Sequence, residues 1–206
     1  MTTTVYLVRH GRTALNAAGQ LRGRIDAPLD EVGRSEAALL ASLFAPVRLN
    51  QIITSPLERT IETASAIAEP HGLEVNVDAA FVDRDYGPWA GRPREEVEAR
   101  YGSLDDAPAS EVEPKAEFER RVVAALETLV AHAAGRTVVV AGHDAVNRAL
   151  IRGLCERYRS PSAELPQPTG CWNRLVFGGQ DPVCEVVGAR PGDGTEPGAD
   201  ATQTRR

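Results

Sequence analysis

Short apolar segments alternate with amphipathic ones along this chain of 206 residues, and this alternation limits the possible folds more than any other feature. The short segments are rich in valine and isoleucine, as is typical of buried strands, and they comprise residues 4–8, 51–54, 73–77 and 138–141. Between the first two, apolar residues recur with helical spacing at Val32, Leu39, Leu40, Leu43 and Phe44. Strands that alternate with helices predict an α/β fold with a mainly parallel central sheet.

A polar segment interrupts the alternation at residues 81–115, which we call the excursion. It is rich in Asp, Glu, Arg, Gly and Pro, and its apolar runs are short. One short helix is predicted within it, at residues 95–101. We expect the excursion to cover a site rather than to add to the core.

Regular structure resumes after the excursion and completes a single domain over residues 1–188. Residues 118–130 have the pattern of an amphipathic helix, and residues 172–177 and 183–187 are predicted to be closing strands. Residues 189–206 consist largely of Gly, Pro, Asp and Thr. They are therefore predicted to be a disordered tail.

The composition indicates a globular protein and argues against several classes of partner. The chain is 42% hydrophobic and 25% charged, with a net charge of −6 at pH 7. That charge argues against nucleic acid or an anionic membrane as the main partner. No segment approaches the roughly 20 apolar residues of a membrane span, and no targeting segment is visible, so a cytoplasmic location is predicted.

The three cysteines give no pairing signal. Cys155, Cys171 and Cys184 lie far apart, and none forms a C-x-x-C motif. Reduced thiols are therefore predicted, in preference to a disulfide or a metal site.

Side chains suited to phosphate chemistry follow two of the predicted strands. Arg9 and His10 come directly after residues 4–8, and His143 comes shortly after residues 138–141. In α/β proteins, ligands bind outside the carboxyl ends of the strands. We therefore expect these side chains to meet at one site.

A fourth such residue, Arg59, follows the strand at 51–54 and lies in the first turn of a predicted helix. The sequence from Ser55 to Glu58 predicts a capping box, with Ser55 as the N-cap. Two arginines can grip phosphate oxygens, one histidine can attack phosphorus, and the other can neutralise charge on the oxygens. A single histidine at a strand end is more often an ordinary polar residue, but four such residues at equivalent places indicate a phosphate site.

The ordered set of motifs resembles the histidine phosphatase superfamily, in its phosphoglycerate mutase-like branch. The resemblance covers nearly all of residues 4–177, and the stretches that carry it are Arg9-His10-Gly11 with Asn16, Leu21 to Leu29, Thr54 to Ala64, Asp85 to Gly91, and Gly142-His143. It implies a three-layer α/β/α sandwich with a mainly parallel sheet. It also implies a metal-independent phosphoryl transfer through phosphohistidine, with no cofactor.

The resemblance implies particular roles for the matching residues. His10 is the expected nucleophile, and the phosphate pocket is expected to contain Arg9, Arg59 and His143. The substrate side is expected to be lined by Gly11, Asn16, Arg22, Gly23 and Tyr86, although Tyr86 is also expected to pack with Trp89. To attack, His10 must be neutral, and its other ring nitrogen is expected to donate to a backbone carbonyl.

The proton donor for the leaving oxygen has two candidates. It must be a carboxylic acid that stays protonated close to the pocket. The family usually has glutamate where this chain has Asp83, which is one methylene shorter. Asp144 is the rival, since the acid-phosphatase branch resembles this chain in a His-Asp pair whose aspartate donates; it could instead cap the next helix. We favour Asp83 as donor and assign Asp144 to the substrate side.

The predicted function is hydrolysis of a small phosphorylated metabolite by a phosphomonoesterase. A phosphoglycerate mutase-type phosphotransferase is the first alternative, but family mutases have a longer excursion with further basic residues beyond those present here, which include Arg92, Arg94, Arg100 and Lys115. A non-catalytic module that binds a phosphorylated ligand is the second alternative. Neither the particular substrate nor the oligomeric state follows from the sequence.

Overall fold

The computed structural model describes residues 2–160, 163–179 and 181–198. Within these residues, six strands form one sheet: β1 (Thr3–Arg9), β2 (Gln51–Thr54), β3 (Val75–Val77), β4 (Thr137–Gly142), β5 (Trp172–Phe177) and β6 (Val183–Ala189). Their order across the sheet is β3-β2-β4-β1-β5-β6. The first four in that order are parallel, whereas β5 pairs antiparallel with both β1 and β6. The predicted mainly parallel sheet is confirmed.

The described residues form six α-helices: α1 (Ala14–Ala17), α2 (Glu31–Phe44), α3 (Glu58–Ala68), α4 (Arg94–Tyr101), α5 (Lys115–His132) and α6 (Asp144–Leu154). Of these, α2 and α3 cover one face of the sheet, and α5 and α6 cover the other. Because side chains alternate along a strand, Val5 and Leu7 of β1 pack with α5 and α6, while Tyr6 and Val8 pack with α2 and α3. This is the three-layer α/β/α sandwich that the resemblance implied. Of the helices described, none is both long and apolar enough to cross a bilayer.

The excursion has a small apolar cluster of its own. The cluster joins one residue of the preceding loop to the excursion and contains Leu21, Tyr86, Trp89, Val97, Leu104 and Val112. The packing of Tyr86 with Trp89 is thus as predicted, and the predicted short helix is α4, which begins one residue earlier, at Arg94. Because this cluster is separate from the two that pack against the sheet, the excursion forms a separately packed wall beside the carboxyl ends of the strands.

The start of β3 and the end of β6 differ from those predicted. Strand β3 begins at Val75 rather than at residue 73. Strand β6 continues to Ala189, whose side chain is buried, so regular structure runs past the predicted end of the domain at residue 188. Beyond it, the Arg190 N–H donates to Asp193 Oδ2 at 2.8 Å. The last part of the predicted tail, residues 199–206, lies outside the described residues.

The prediction that the cysteines are reduced thiols was wrong for two of them. Cys155 follows α6 and Cys184 lies in β6, and the two form a disulfide with their Cα atoms 6.2 Å apart. Cys171 is free and buried. The pair is separated by 29 residues, and it is the packing of the end of α6 beside β6 that brings the two together. The spacing of the two cysteines along the chain does not predict that contact.

Candidate active site

The two histidines are brought together by adjacent parallel strands. Arg9 at the end of β1 is in register with Gly142 at the end of β4, so the next residues of both strands, His10 and His143, leave the sheet side by side. The His10 N–H donates to the Gly142 carbonyl at 3.0 Å. The two imidazole centroids lie 5.4 Å apart, and both side chains are fully buried. The expectation that they share one site is met.

His10 is held as a neutral ring with one free nitrogen. Its Nδ1 lies 2.6 Å from the Gly11 carbonyl oxygen; since a carbonyl can only accept, Nδ1 carries the proton. Nε2 is buried and has no hydrogen-bond partner among the described residues. Burial, followed by the nearby guanidinium groups of Arg59 and Arg9, lowers the pKa of His10 well below its usual value. The ring therefore offers an Nε2 lone pair, and the predicted donation to a backbone carbonyl is confirmed.

Arg59 connects the loop before α2 to the pocket. Its Nη1 donates to the Ile25 carbonyl at 2.7 Å and its Nη2 to the Gly23 carbonyl at 2.8 Å. Nη2 also lies 3.2 Å from His143 Nδ1 and 3.6 Å from Asp83 Oδ2. The guanidinium is thus fully buried among the groups with which it was predicted to act.

Ser55 does not cap α3, and the predicted capping box was wrong. The helix begins at Glu58, after an N-cap residue, Leu57, that makes no side-chain capping bond. Ser55 Oγ accepts only a long hydrogen bond from the Leu57 N–H, at 3.4 Å, and lies 2.8 Å from His143 Nε2. The Arg59 guanidinium can only donate to Nδ1 of this ring, so Nε2 carries the proton and donates to Ser55 Oγ. The serine binds a histidine 88 residues away, and no local sequence pattern predicts this contact.

His143 is neutral in this arrangement. Burial lowers its pKa well below the usual value, and the charge of Arg59 lowers it further. A phosphate dianion close to the ring would act in the opposite direction, because an opposite charge favours the protonated form. The ring can therefore gain a proton as its ligand arrives.

Arg9 is anchored by a residue that the sequence analysis did not identify. Its Nη1 donates to the backbone carbonyl of Gln167, and its Nε has no partner among the described residues. The Gln167 side chain in turn binds Asn173 and Asn147, at 2.6 and 3.0 Å. Asn173 also donates to the Leu7 carbonyl at 2.9 Å. A buried amide network thus positions Arg9, and isolated Gln and Asn residues gave no sequence signal for it.

Of the two candidate acids, Asp83 lies deeper in the pocket. Its side chain is only 3% exposed, and Oδ2 lies 3.6 Å from Arg59 Nη2 and 3.9 Å from His143 Nδ1. Burial raises its pKa, with Arg59 acting in the opposite direction. Asp144, in contrast, is 31% exposed and forms an ion pair with Arg148 at 2.5 Å. The shorter aspartate thus lies beside Arg59 and His143 without a longer side chain.

A cavity of about 150 Å³ opens beside Asp83, and only some of the predicted substrate-side residues line it. Its wall includes Arg22, Asp83, Tyr86 and Asp144. Gly23 is not part of that wall; it has φ +49°, and its carbonyl accepts from Arg59.

Gly11 and Asn16 also lie outside that wall and have structural contacts. A Cβ on Gly11 would collide with the Gly33 carbonyl oxygen, so the loop requires glycine there. The Asn16 side chain accepts from the Thr13 N–H at 3.0 Å, in a capping box that starts α1.

The described residues contain no group of three or more His, Cys, Asp or Glu side chains placed to hold a metal ion. The groups assembled around the pocket are instead two guanidinium groups, two imidazoles and one buried carboxyl. Such a set can bind a phosphate through charge-assisted hydrogen bonds and offers it a nucleophile and an acid.

Comparison with known proteins places this arrangement in a family. Residues 5–190 match the family model described as histidine phosphatase superfamily (branch 1). Phosphoserine phosphatase 1 of Hydrogenobacter thermophilus is 36% identical over 158 residues, covering 72% of this chain and 74% of that protein. A Yersinia enterocolitica protein named "Probable phosphoglycerate mutase GpmB" is 34% identical over 147 residues, covering 68% of each chain.

Solved structures show the same fold. A mycobacterial glucosyl-3-phosphoglycerate phosphatase superposes with a TM-score of 0.79 at 22% identity, over 92% of this chain and 100% of that one. A phosphoglycerate mutase from Bacillus anthracis superposes with a TM-score of 0.81 at 22% identity, over 91% of this chain and 93% of that one. The resemblance in the motifs is thereby confirmed, and the chain belongs to branch 1 of the histidine phosphatase superfamily as a phosphatase enzyme.

Proposed function

We propose that this protein is a phosphomonoesterase for a small phosphorylated metabolite and that it acts through a phosphohistidine at His10. The observation that carries the proposal is the buried, neutral imidazole of His10, whose Nε2 has no partner among the described residues. Arg9 and Arg59 are the nearby cations that act on this ring, and both have a buried Nε without a partner among the described residues. A free nucleophile beside two available cations matches the requirements of attack on a phosphate dianion.

Binding of the phosphate would change the charge of His143. Its pKa is lowered in the free pocket, but a bound dianion favours the imidazolium, which can then donate from Nδ1 to a phosphate oxygen. Arg59 Nη2, 3.2 Å from that nitrogen, would turn from the ring to the phosphate. Arg9, Arg59 and His143 would together bind the equatorial oxygens as negative charge shifts in the transition state.

Asp83 is proposed to supply and then remove the proton. Burial raises its pKa, and the field of a bound phosphate raises it further, so the acid form can persist near neutral pH. As the bond from His10 Nε2 to phosphorus forms and the ester P–O bond breaks, Asp83 protonates the leaving oxygen. The resulting carboxylate takes a proton from water, whose oxygen attacks phosphorus and breaks the N–P bond.

The excursion favours hydrolysis over the mutase reaction. Four of its five basic residues are held in local ion pairs: Arg84 and Lys115 with Asp105, Arg92 with Glu96, and Arg94 with Glu98. The fifth, Arg100, lies over the rings of Trp89 and Tyr101. A mutase needs basic groups that hold the substrate until the phosphoryl group returns. Because of these contacts, the excursion has few basic groups available to bind a substrate.

The test is release of phosphate from p-nitrophenyl phosphate in the presence of a chelator. His10→Ala should abolish release, whereas His132→Ala, which alters an exposed histidine on α5, should retain it. Release that survives His10→Ala refutes the proposed nucleophile. With 3-phosphoglycerate, free phosphate should appear without 2-phosphoglycerate, and accumulation of 2-phosphoglycerate would support the mutase alternative.

The proposed partner is the phosphorylated substrate alone, without nucleic acid or membrane, since the net charge is −6. A cytoplasmic location stays a prediction. The Cys155–Cys184 disulfide counts against it, because disulfides persist mainly in oxidising compartments. Fractionation of the source cells, with immunodetection of the protein in each fraction, tests the location directly.

A further inference from the structure

A second cavity of about 260 Å³ adjoins the one beside Asp83. We call it the outer cavity. The two cavities share four wall residues, Tyr86, Arg94, Asp144 and Ala145. One side of the outer cavity is formed by α6, and the facing side by residues of the excursion and of the first turns of α5. Asp83 lines the first cavity and lies 3.9 Å from His143, so a molecule whose phosphate binds beside these residues can extend its organic part past Asp144 into the outer cavity.

The outer cavity is long because one face of α6 lines it. The residues concerned are Asp144, Ala145, Arg148, Ala149 and Arg152. They follow the spacing i, i+1, i+4, i+5 and i+8, which is a single helical stripe. At about 1.5 Å per residue, Arg152 lies about 12 Å along the helix axis from Asp144. The cavity therefore leads away from the phosphate pocket toward Arg152.

Most charges of this wall neutralise one another. Arg84 and Lys115 both bind Asp105, at 2.6 and 3.2 Å. Arg148 binds Asp144 at 2.5 Å, and Arg94 binds Glu98 at 3.6 Å. These pairs give a polar wall that can hydrogen-bond hydroxyl groups, with little net charge of its own.

Arg152 is the exception among the cations of the wall. Within residues 2–160, 163–179 and 181–198 it has no ion pair or hydrogen bond, and its Nε is buried without a partner. Glu119, on α5, is the wall carboxylate without an ion pair in the same residues, and it does not come within 4 Å of Arg152. A half-buried guanidinium without a partner is a site for an anionic group of a ligand.

We propose that the outer cavity binds the leaving group of the substrate, and that this group is elongated, hydroxyl-bearing and acidic at the end that pairs with Arg152. The inference rests on the proposed phosphatase function and specifies its substrate class. In a three-carbon acid such as phosphoserine, the carboxyl carbon is four bonds from phosphorus. At about 1.3 Å of reach per bond, such an acid ends close to Asp144, well short of Arg152. A six-carbon chain brings its terminal carboxylate within reach of the arginine side chain.

The test compares three probes: 6-phosphogluconate, sorbitol 6-phosphate and phosphoserine. The first two have the same chain length and differ in the terminal carboxylate. For the wild-type protein, kcat/KM should be about tenfold higher for 6-phosphogluconate than for the other two, as expected of one charge-assisted contact. Arg152→Gln should raise KM for 6-phosphogluconate about tenfold, with kcat and the values for the other probes unchanged.

Arg120→Gln is the matched control, since Arg120 makes the same charge change from an exposed position on α5 that does not line the cavity. The proposal is overturned if the wild-type protein hydrolyses phosphoserine as efficiently as 6-phosphogluconate. It is also overturned if Arg152→Gln and Arg120→Gln change the KM for 6-phosphogluconate equally. Calorimetric binding of 6-phosphogluconate to His10→Ala, with and without Arg152→Gln, should show the same tenfold difference. A wild-type protein that binds 6-phosphogluconate in this way but releases no phosphate from p-nitrophenyl phosphate would refute the proposed function, while the pairing of Arg152 with a terminal carboxylate would stand.

Discussion

Replacing Ser55 by alanine tests whether the contact between Ser55 and His143 positions the phosphate pocket. Ser55 is fully buried, and its Oγ accepts from His143 Nε2 at 2.8 Å. Alanine fits the space but leaves the buried Nε2–H without an acceptor. Such an unsatisfied group costs about 1 to 3 kcal/mol. If that cost is paid in the transition state for phosphoryl transfer, kcat/KM decreases by about fivefold to about 150-fold.

The pH profile separates positioning from a general loss of stability. When phosphate is bound, the protonated form of His143 is the proposed working form, and Ser55 stabilises it by accepting its Nε2–H. Without that acceptor the pKa of His143 falls further, so the basic limb of the kcat profile should move to lower pH. A loss of about 2 kcal/mol of folding free energy would separately lower Tm by about 4 to 8 °C.

The assay is turnover of p-nitrophenyl phosphate between pH 5 and 9, with Tm measured in parallel. Ser55→Thr keeps the hydroxyl and should restore the position of the basic limb, even where its extra methyl group lowers Tm. Ser42→Ala removes an exposed serine hydroxyl from α2 and should change neither quantity. If Ser55→Ala keeps kcat/KM within twofold with the basic limb unmoved, the positioning argument is refuted.

Three further predictions concern the acid, the histidines and the cysteines. Asp83→Asn should lower turnover of glycerol phosphate, a substrate with a poor leaving group, by about 100-fold; p-nitrophenyl phosphate, which leaves without a proton, should be affected much less. Asp144→Asn should preserve both activities. If Asp144→Asn, rather than Asp83→Asn, lowers the turnover of glycerol phosphate, the proton donor is Asp144. His10 and His143 have lowered pKa values in the folded state, so the unfolded chain binds more protons below pH about 6.5. Unfolding free energy should therefore fall as pH decreases from about 6.5 toward 5, by at most about 2.7 kcal/mol per pH unit for two groups, and His10→Asn should halve that contribution while His132→Asn leaves it intact. In denaturant without reductant, thiol titration should detect one thiol per chain, that of Cys171, and three after reduction; three thiols before reduction would contradict the disulfide.

Much of the fold was predictable because strands of a parallel sheet that are buried on both faces are apolar throughout, and such runs are easily recognised in a sequence. The run from Val5 to Val8 is apolar throughout, since α2 and α3 cover one face and α5 and α6 the other. Parallel strands end at the same edge of a sheet. The positions of Arg9-His10 and His143 after two such strands were therefore enough to assign them to one site. The motifs alone also identified the family.

The errors arose where a side chain's partner is distant in sequence. Ser55 has the local features of an N-cap, yet α3 begins only at Glu58, and the Ser55 hydroxyl serves as the acceptor for the buried imidazole N–H of His143. Cys155 and Cys184 pair only because α6 ends beside β6. The excursion has the composition of a polar covering, although Leu104 and Val112 complete a cluster with Leu21 that holds it in place.

By itself, the sequence determined the parallel sheet and placed Arg9, His10, Arg59 and His143 at its carboxyl edge, since both follow from local patterns joined to a general rule of α/β folds. The three-layer order followed from the resemblance to the family. Tertiary structure alone decided the protonated nitrogen of each histidine, the depth of Asp83 and the disulfide. It also decided that Arg152 lines a cavity without a partner among the described residues. These features depend on contacts between residues far apart in the chain, whose distances are set only when the helices and the excursion pack together.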